Sequence, residues 1–457
     1  MERLQLSQPL KAFGAAQDAA AGASGYGPGE APRWDDYSKC IRCGLCLNSC
    51  PTYRILGEEM DSPRGRIYQM IQVDRGRLPL GESFVRHIDL CLDCRACETA
   101  CPSGVSYGRL VEAARGQVQR YYPRSPVGAL LRSAFFRHLL PHPRRLAAVG
   151  WLLRGYQRSG AEAVVQASGV LKLLRFDKVA RLSPRMEKPF FFHRLGTVVP
   201  ALGPRRYRVA LAAGCIAQVA FARLNDATIR VLARNGCEVV IPREQGCCAA
   251  LHVHAGMRDL ARAMALKNIQ AFSAGDYDAI ITNAAGCGSV LKDYPELFEH
   301  VDSGHLEEAR SFSSRVKDIT EFLDEIGLNR EMGIVNARVT YQDPCHLVHA
   351  QRIRSAPRAL IAAIPGLEMT ELQDAEVCCG SAGIYNVVHN DLATRLLEAK
   401  MESVDETGAE IILTANPGCM IQLRAGVAAS SNPRRRVLHV VELLDEAYAA
   451  VANHPLG

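Results

Sequence analysis

The fold of the first domain is decided by two matching stretches, CIRCGLCLNSCP at residues 40–51 and CLDCRACETACP at residues 91–102. Each contains four cysteines separated by two, two and three residues, and a proline follows the fourth cysteine. The proline ends any local helix and turns the chain away. Cysteines spaced this closely predict two metal-binding segments rather than scattered core thiols.

This spacing is typical of domains that bind two [4Fe–4S] clusters, where three cysteines of one run and the last cysteine of the other ligate each cluster. The spacing therefore predicts one cluster on Cys40, Cys43, Cys46 and Cys101, and a second on Cys91, Cys94, Cys97 and Cys50. Zinc is the alternative, because C-x2-C pairs also bind zinc. Two runs of four cysteines, each followed by proline, favour iron–sulfur clusters.

The segments around the two runs set the limits of this domain. Residues 1–33 contain a stretch rich in Ala, Gly and Pro and are interpreted as a flexible tail. From about Pro63, Ile67, Met70 and Ile71 line one face of a predicted helix, which Ser62 is positioned to cap. With another helix near residues 110–120, we expect an α-helical, ferredoxin-like domain over residues 34–120.

The composition fits a soluble intracellular protein of several domains. Of 457 residues, 48% are hydrophobic and 22% charged. No run approaches the roughly 18 consecutive apolar residues of a membrane span, and the first ten residues lack the apolar core of a secretory signal. We expect a cytoplasmic protein whose 17 cysteines bind metal rather than form disulfides.

The second half of the chain contains an internal repeat. Four cysteines of the first repeat recur 130–132 residues later in the second: Cys215, Cys247, Cys248 and Cys287 correspond to Cys345, Cys378, Cys379 and Cys419. Short β-branched stretches alternate with helical ones in both repeats. This pattern predicts two α/β domains with parallel sheets, over residues 206–330 and 331–457. The cysteines fall in loops that follow strands, and such loops meet at one edge of a parallel sheet.

The eight repeated cysteines are candidate ligands of a further iron–sulfur cluster or of zinc. Recurrence at matched positions favours a metal or redox role over inert buried thiols, more strongly in the second repeat. Cys237 has Leu367 as its counterpart and is predicted to be a core residue. His252, His254 and His346 lie near the cysteines and are ligands, proton carriers or structural residues.

Residues 121–205 are predicted to form a basic helical connector. No Asp or Glu occurs between Ala113 and Ala161, where nine arginines fall among Leu, Phe and Trp. Such helices lie on anionic membranes, so peripheral contact of residues 124–158 with the inner face of the cytoplasmic membrane is one interpretation. A solvated connector docked on the cluster domain is the other. No nucleic-acid-binding motif accompanies the charge.

The motifs of the chain resemble, in order, those of one family. They are CIRCGLCLNSCPTYRILGEEMDSPRGRIYQM, CLDCRACETACPSGVSYGRLVE, QGCCAALHVHAG, NAAGCG, DPCHLVHAQ, CCGSAGIYN and NPGCMIQL. From about Trp34 to the C-terminus the chain resembles the iron–sulfur subunit of bacterial glycolate oxidase (glycolate dehydrogenase). Its repeats resemble the cysteine-rich CCG domains shared with heterodisulfide reductase and with lactate-utilisation and anaerobic glycerol-3-phosphate dehydrogenase subunits.

The resemblance implies a subunit of an oxidoreductase that acts on CH–OH donors with an acceptor other than NAD. Partner FAD-binding subunits would oxidise glycolate to glyoxylate, and this subunit would pass the electrons to a quinone or the respiratory chain. No P-loop, Rossmann fingerprint or nucleophile–base triad is found in the sequence, so no catalytic residue is predicted in this chain. Lactate and glycerol-3-phosphate are the alternative substrates.

Two departures from the family pattern bear on the repeats. The fuller CCG pattern ends in C-x2-C, but Val290 and Gln422 stand where the last cysteine would fall. This disfavours a heterodisulfide-reductase-like catalytic subunit. Ala249 stands where the second repeat has Gly380, and glycine allows the backbone to approach a cluster closely. The second repeat is therefore the better candidate for a bound cluster, and structural zinc or scaffold domains are the remaining alternative.

Overall fold

The structure is a computed structural model that describes residues 23–173 and 180–453. Short helices form the N-terminal part, and two sheets flanked by helices form the C-terminal part. The predicted fold class, an α-helical ferredoxin-like domain followed by two repeated α/β domains, is confirmed.

The N-terminal domain is built around the helix Pro63–Asp74. Ser62 caps this helix as predicted, because its Oγ accepts a hydrogen bond from the Gly65 amide at 3.0 Å. Ile67, Met70 and Ile71 are buried in the core of the domain. The domain contains the helical segments Trp34–Tyr37, Pro51–Leu56, Glu59–Asp61, Pro63–Asp74, Glu82–Asp89, Ala96–Thr99 and Tyr107–Tyr121.

The interpretation of residues 1–33 as a flexible tail is wrong for residues 23–33. The Tyr26 ring is buried against the helix Pro63–Asp74, and its hydroxyl donates to the Met70 carbonyl at 3.3 Å. The Gly25 amide donates to the Val73 carbonyl at 2.9 Å. One aromatic ring thus anchors a stretch whose average composition is that of a linker. Residues 1–22 lie outside the described residues.

The connector contains several helical segments within its described residues, 121–173 and 180–205. Its helical segments are Pro126–Ser133, Ala134–Leu139, Pro143–Arg158, Ala161–Ala167, Val170–Leu173 and Phe191–Arg194. Strand β1 (Val198–Val199) then pairs antiparallel with β3 (Cys237–Val240), so the end of the predicted connector belongs to the first sheet. None of the helices within residues 23–173 and 180–453 is long and apolar enough to cross a membrane.

The two C-terminal units repeat one sheet topology. Besides β1 and β3, the first unit contains β2 (Tyr207–Leu211), β4 (Ala279–Thr282) and β5 (Val316–Asp318), in the order β1-β3-β2-β4-β5. The second contains β6 (Ala337–Tyr341), β7 (Leu367–Met369), β8 (Ile411–Thr414) and β9 (Arg436–His439), in the order β7-β6-β8-β9. All pairs except β1–β3 are parallel, as predicted.

Helices cover the faces of both sheets. In the first unit they are Ala217–Ala220, Ala222–Arg234, Ala250–His254, Arg258–Ser273, Ala285–Lys292, Tyr294–Phe298, Leu306–Ser314 and Ile319–Ile326. In the second unit they are His346–Ala350, Ser355–Ala362, Tyr385–Val388, Asn390–Glu406, Pro417–Ala429 and Val440–Asn453.

The register of the strands confirms the predicted repeat. Cys237 pairs with Tyr207 at the start of β2 and β3, and Leu367 pairs with Ala337 at the same position of β6 and β7. Cys237 is fully buried, as expected of a core residue. The two units share one hydrophobic core, and the Ala285 amide of the first donates to the Ala415 carbonyl of the second at 3.4 Å.

Candidate metal centres

The first group of predicted ligands surrounds one cavity of the N-terminal domain. Cys40, Cys43, Cys46 and Cys101 line it, and the last of these comes from the second cysteine run. The thiol of Cys43 is exposed, and the other three are partly buried. This group therefore lies at the surface of the molecule.

The second group surrounds an adjacent cavity. Cys50, Cys91, Cys94 and Cys97 line it, and Cys50 comes from the first run. All four are buried. Cys97 lines both cavities, so the two groups lie side by side. The fourth cysteine of each run thus faces the cavity of the other run.

A buried polar network supports the second group. The Thr52 hydroxyl lies 3.2 Å from Cys50 Sγ and donates to the Asp61 carbonyl at 2.8 Å. The guanidinium of Arg66 donates to Thr52 Oγ1 at 3.1 Å and to Asp61 Oδ1 at 3.2 Å. The Asp93 amide points at Cys91 Sγ at 3.3 Å. Hydrogen-bond donors aimed at cysteine sulfurs tune the reduction potential of an iron–sulfur cluster.

The donor set fits an iron–sulfur cluster at each cavity. Burial raises the pKa of the Cys94 and Cys97 thiols well above the ordinary value. Buried thiols of this kind become thiolates when a metal supplies the opposite charge. Four converging sulfurs, with N–H and O–H donors around them, suit a cluster with cysteine ligands.

The cysteines of each repeat also come together, at the carboxyl ends of the strands as predicted. In the first repeat, the Sγ atoms of Cys215 and Cys247 are 3.3 Å apart, and those of Cys248 and Cys287 are 3.1 Å apart. Disulfide sulfurs are about 2.05 Å apart, so these four are free thiols. Hydrogen bonding with Cys247 and Cys287 lowers the pKa of Cys248.

The second repeat has the same arrangement. The thiol of Cys378 hydrogen-bonds those of Cys345 and Cys379, and the thiol of Cys379 contacts that of Cys419. Hydrogen bonds from Cys378 and Cys419 lower the pKa of Cys379.

Among the described residues, only the second repeat brings its cysteines against the second cavity, the one lined by Cys94. Cys94 shares a hydrophobic cluster with Cys378 and Tyr385, and Cys345 packs against its edge. The Tyr385 hydroxyl donates to the Leu90 carbonyl, next to Cys91, at 3.2 Å. Cys215 of the first repeat instead packs beside Phe136 of the connector.

The histidines near the repeated cysteines have other partners. His252 Nε2 lies 2.8 Å from the Phe136 carbonyl, and its ring packs edge-on against Phe136. His254 Nδ1 lies 3.0 Å from Asp93 Oδ2. His346 lies between Ser289 Oγ and the Asp93 carbonyl, at 2.9 and 2.8 Å. These contacts are those of structural histidines.

Asp93 is a junction of all three domains that the sequence did not reveal. It lies between Cys91 and Cys94, and residues of both repeats, His254 and His346, contact it. Arg115 reaches its carboxylate at 3.4 Å. Burial alone would raise the pKa of Asp93. His254 and Arg115 lower this pKa by more than burial raises it, so that the carboxylate stays charged. With this arginine present, the group formed by Asp93, Glu112 and His254 is an ion-pair network rather than a cation site.

The departures from the CCG pattern have structural explanations. Val290 is buried in the core, and the Gln422 amide is satisfied by Asn386 at 3.0 Å and by the Ala393 carbonyl at 3.3 Å. Gly380 has φ +89°, and a Cβ there would lie 2.6 Å from the Ala393 carbonyl oxygen. Packing against the helix Asn390–Glu406 therefore requires glycine at this position.

Models of three families match successive parts of the chain. A 4Fe-4S dicluster domain matches residues 36–105. The linker region of the glycolate oxidase iron-sulfur subunit matches residues 128–182. The cysteine-rich CCG domain matches twice, at residues 209–292 and 339–424. The matches follow the order of the domains in the structure.

Full-length relatives share this organisation. The chain is 40% identical over 414 residues to the probable glycolate oxidase iron-sulfur subunit of Bacillus subtilis, covering 89% of this chain and 93% of the relative. It is 34% identical over 415 residues to the glycolate oxidase iron-sulfur subunit of Escherichia coli, with the same coverage. Lactate utilization protein A of Geobacillus kaustophilus is 28% identical over 239 residues, 52% of this chain and 98% of that protein. This chain therefore belongs to the family of glycolate oxidase iron–sulfur subunits.

Proposed function

We propose that this chain is the electron-transfer subunit of a glycolate oxidase complex, which takes electrons from flavin-containing partner subunits and passes them to a quinone or another respiratory acceptor. The observation that carries the proposal is the contiguity of three cysteine groups. One lies at the surface, the second is buried beside it, and the cysteines of the second repeat pack against Cys94. Family membership supports glycolate as the substrate of the partners.

In this proposal, Cys40, Cys43, Cys46 and Cys101 hold one [4Fe–4S] cluster, and Cys91, Cys94, Cys97 and Cys50 hold the other. A bound cluster accepts and releases one electron at a time, whereas a flavin releases two. The exposed Cys43 leaves the first cavity open to a partner protein. The buried cysteines of the second cavity keep water away from it.

Glycolate is favoured over lactate by the extent of similarity. The glycolate oxidase subunits match over 89% of this chain, and the lactate utilization protein over 52%. The connector itself matches the linker of the glycolate oxidase subunit. Oxidation of glycolate to glyoxylate is assigned to the partner subunits.

We also propose that the second repeat holds a further metal centre, an iron–sulfur cluster or zinc, on Cys345, Cys378, Cys379 and Cys419. The support is the convergence of four thiols next to the second cluster cavity. Cys215, Cys247, Cys248 and Cys287 form the corresponding group of the first repeat. Iron, sulfide and zinc analysis of the anaerobically purified protein separates these alternatives.

A peripheral membrane contact through residues 124–158 completes the proposal. Val127, Leu130 and Leu131 form one apolar stripe on the helix Pro126–Ser133, and the two leucines are 69% and 65% exposed. Arg137 and Arg144 follow and are also exposed. Apolar and cationic side chains exposed together suit an anionic lipid surface.

Vesicle sedimentation tests this contact. We expect the wild-type protein to bind phosphatidylglycerol vesicles, and L130Q/L131Q to bind at least tenfold more weakly. V164Q is the matched control, because Val164 is equally exposed but shares its short helix with Glu162. Equal binding of the wild type and L130Q/L131Q would contradict the membrane contact.

The assignment of the cluster ligands is tested by pairs of substitutions. C40S and C101S should each remove the same cluster, about four irons, and the double variant C40S/C101S should lose no more iron than either. C40S/C50S should lose both clusters. C237S is the control, because Cys237 is a core residue outside every cysteine group.

The electron-transfer role is tested with the reconstituted complex. C101S should abolish quinone reduction while the partner flavin is still reduced by glycolate. If flavin reduction is lost as well, this chain does more than carry electrons. If C40S/C101S loses twice as much iron as C40S, the crossed ligand assignment is wrong.

A further inference from the structure

The two repeats differ at a position that packs beneath their cysteines. The helices Arg258–Ser273 and Asn390–Glu406 follow the cysteine pairs, and the spacing from these helices to Cys287 and Cys419 is the same. At matched positions the first helix has Asn268 and the second has Lys400. Both side chains are buried, with exposed fractions of 2% and 4%.

Asn268 forms a neutral network. Its Oδ1 accepts from the Gly246 amide at 2.8 Å, and its Nδ2 contacts the Cys247 carbonyl and the Tyr294 hydroxyl, both at 2.9 Å. All of its hydrogen-bonding groups are used within the first repeat. No charge is introduced beside the cysteines of that repeat by this residue.

Lys400 brings a positive charge to the same place in the second repeat. Its ammonium group donates to the Asp374 and Ala375 carbonyls, in the loop that leads to the cysteine pair. Burial lowers the pKa of Lys400, and the neighbouring Cys379 and Cys378 oppose this shift by favouring its charged form. A lysine is almost never fully buried without a compensating partner. Two carbonyls accept from the ammonium group of Lys400, and the thiols of Cys378 and Cys379 and the carboxylates of Asp343 and Asp374 act on its charge.

The two repeats also differ in the side-chain hydrogen bonds around their cysteines. Asn416 Nδ2 donates to Cys419 Sγ at 3.3 Å. The matched residue of the first repeat is Ala284, which has no side-chain donor. Next to the cysteine pair, Ser381 donates to the Gly418 carbonyl at 2.9 Å, where the first repeat has Ala250. The second repeat thus has a side-chain donor on Cys419 and a lysine beneath its cysteine pair, where the first repeat has Ala284 and Asn268. The titratable side chain that acts on the pair in the first repeat is His252.

We propose that Lys400 and Asn416 compensate the negative charge of an iron–sulfur centre bound by the second repeat and raise its reduction potential. The inference rests on the metal centre proposed above for that repeat. Reduction adds one negative charge, and a buried ammonium group and an N–H···S bond stabilise that charge. The two repeats are therefore distinguished by the charge around their ligands rather than by the ligands themselves.

The alternative role of Lys400 is to anchor the loop at residues 374–375. Three substitutions separate the two roles. K400R keeps the charge, K400Q keeps a donor without the charge, and K400M keeps neither. N416A gives the second repeat the side chain that the first repeat has at the matched position, Ala284. N268K introduces the lysine into the first repeat and is the matched control.

The experiment is a redox titration of the anaerobic holoprotein, monitored by EPR. The signal of the second repeat is identified as the one that C379S removes. In K400Q we expect at least a tenfold decrease in the equilibrium constant for one-electron reduction of this centre, which is a potential lower by 59 mV. N416A should shift it in the same direction, K400R should leave it near the wild-type value, and N268K should not move it.

The outcomes separate the inference from the function on which it rests. If C379S removes no signal, the second repeat holds no redox centre, and both the centre and its charge compensation are disproved. If the signal is present but K400Q and N416A titrate like the wild type, only the role of Lys400 and Asn416 is disproved. Loss of the centre in K400Q but not in K400R supports the role of the charge.

Discussion

Replacing Arg66 by leucine tests the buried network that supports the second cysteine group. The Arg66 side chain is 1% exposed, and its partner Asp61 is fully buried. The guanidinium also donates to the His87 carbonyl at 2.7 Å. In R66L, the Asp61 carboxylate would lose its guanidinium partner and keep the contact with His87 Nδ1 at 2.9 Å. Removing one partner of a buried ion pair costs about 3–5 kcal/mol of stability.

The same helix provides the control. Arg64 pairs with Glu59 at 2.7 Å, but the two side chains are 31% and 45% exposed, and such pairs contribute about 0–1 kcal/mol. Urea unfolding is followed anaerobically by tryptophan fluorescence and by cluster absorbance. With a slope of about 2 kcal/mol per molar urea, R66L should lower the midpoint by roughly 2 M and R64L by less than 0.5 M. Similar midpoints for the two variants would refute the reasoning.

Three further predictions concern pH, domain docking and metal removal. Burial lowers the pKa of His439 from 6.5 to about 4. Above pH 6.5 its neutral form should therefore contribute about 3 kcal/mol to the free energy of unfolding, and this contribution should be lost as the pH falls to 4. The urea midpoint of H439N should not show this pH dependence. Y385F removes the bond to the Leu90 carbonyl and should speed amide exchange near residue 90, whereas Y68F, at an exposed tyrosine, should not. Removing iron with a chelator should expose residues 34–121 to trypsin but leave the two sheets protected, because Cys91 and Cys97 belong to the N-terminal core; equal digestion of both parts would contradict this.

The parts of the fold that the sequence predicted are those with short-range patterns. The spacing of the cysteines, the helical face of Ile67 and Met70, and the β-branched strands each depend on neighbours within a few residues. The repeat added long-range information, since matched positions such as Cys237 and Leu367 occupy matched places in two sheets. Helix limits are less accessible to such patterns: the helices Ala217–Ala220 and Ala222–Arg234 are separated by a single residue, Phe221, whose φ is −138°.

The features that were missed depend on residues far apart in the chain. Tyr26 meets a helix 44 residues away, and Asp93 meets His254 across 161 residues. Neither contact has a local pattern. Lys400 looks like an ordinary surface lysine in an amphipathic helix, and only its comparison with Asn268 in the other repeat marks it as unusual. For the cysteine groups, spacing alone predicted the members, but not that the second repeat packs against Cys94.

The junction at Asp93 has a consequence for building hybrid proteins. Because His254 of one repeat and His346 of the other both contact this residue, the N-terminal domain is not an independent module. A chimera that takes residues 34–121 from a homologue would keep its docking only if the acceptor repeats carry matching partners. We expect the exchange of a single domain to succeed when these three positions are transplanted together, and to fail when they are separated.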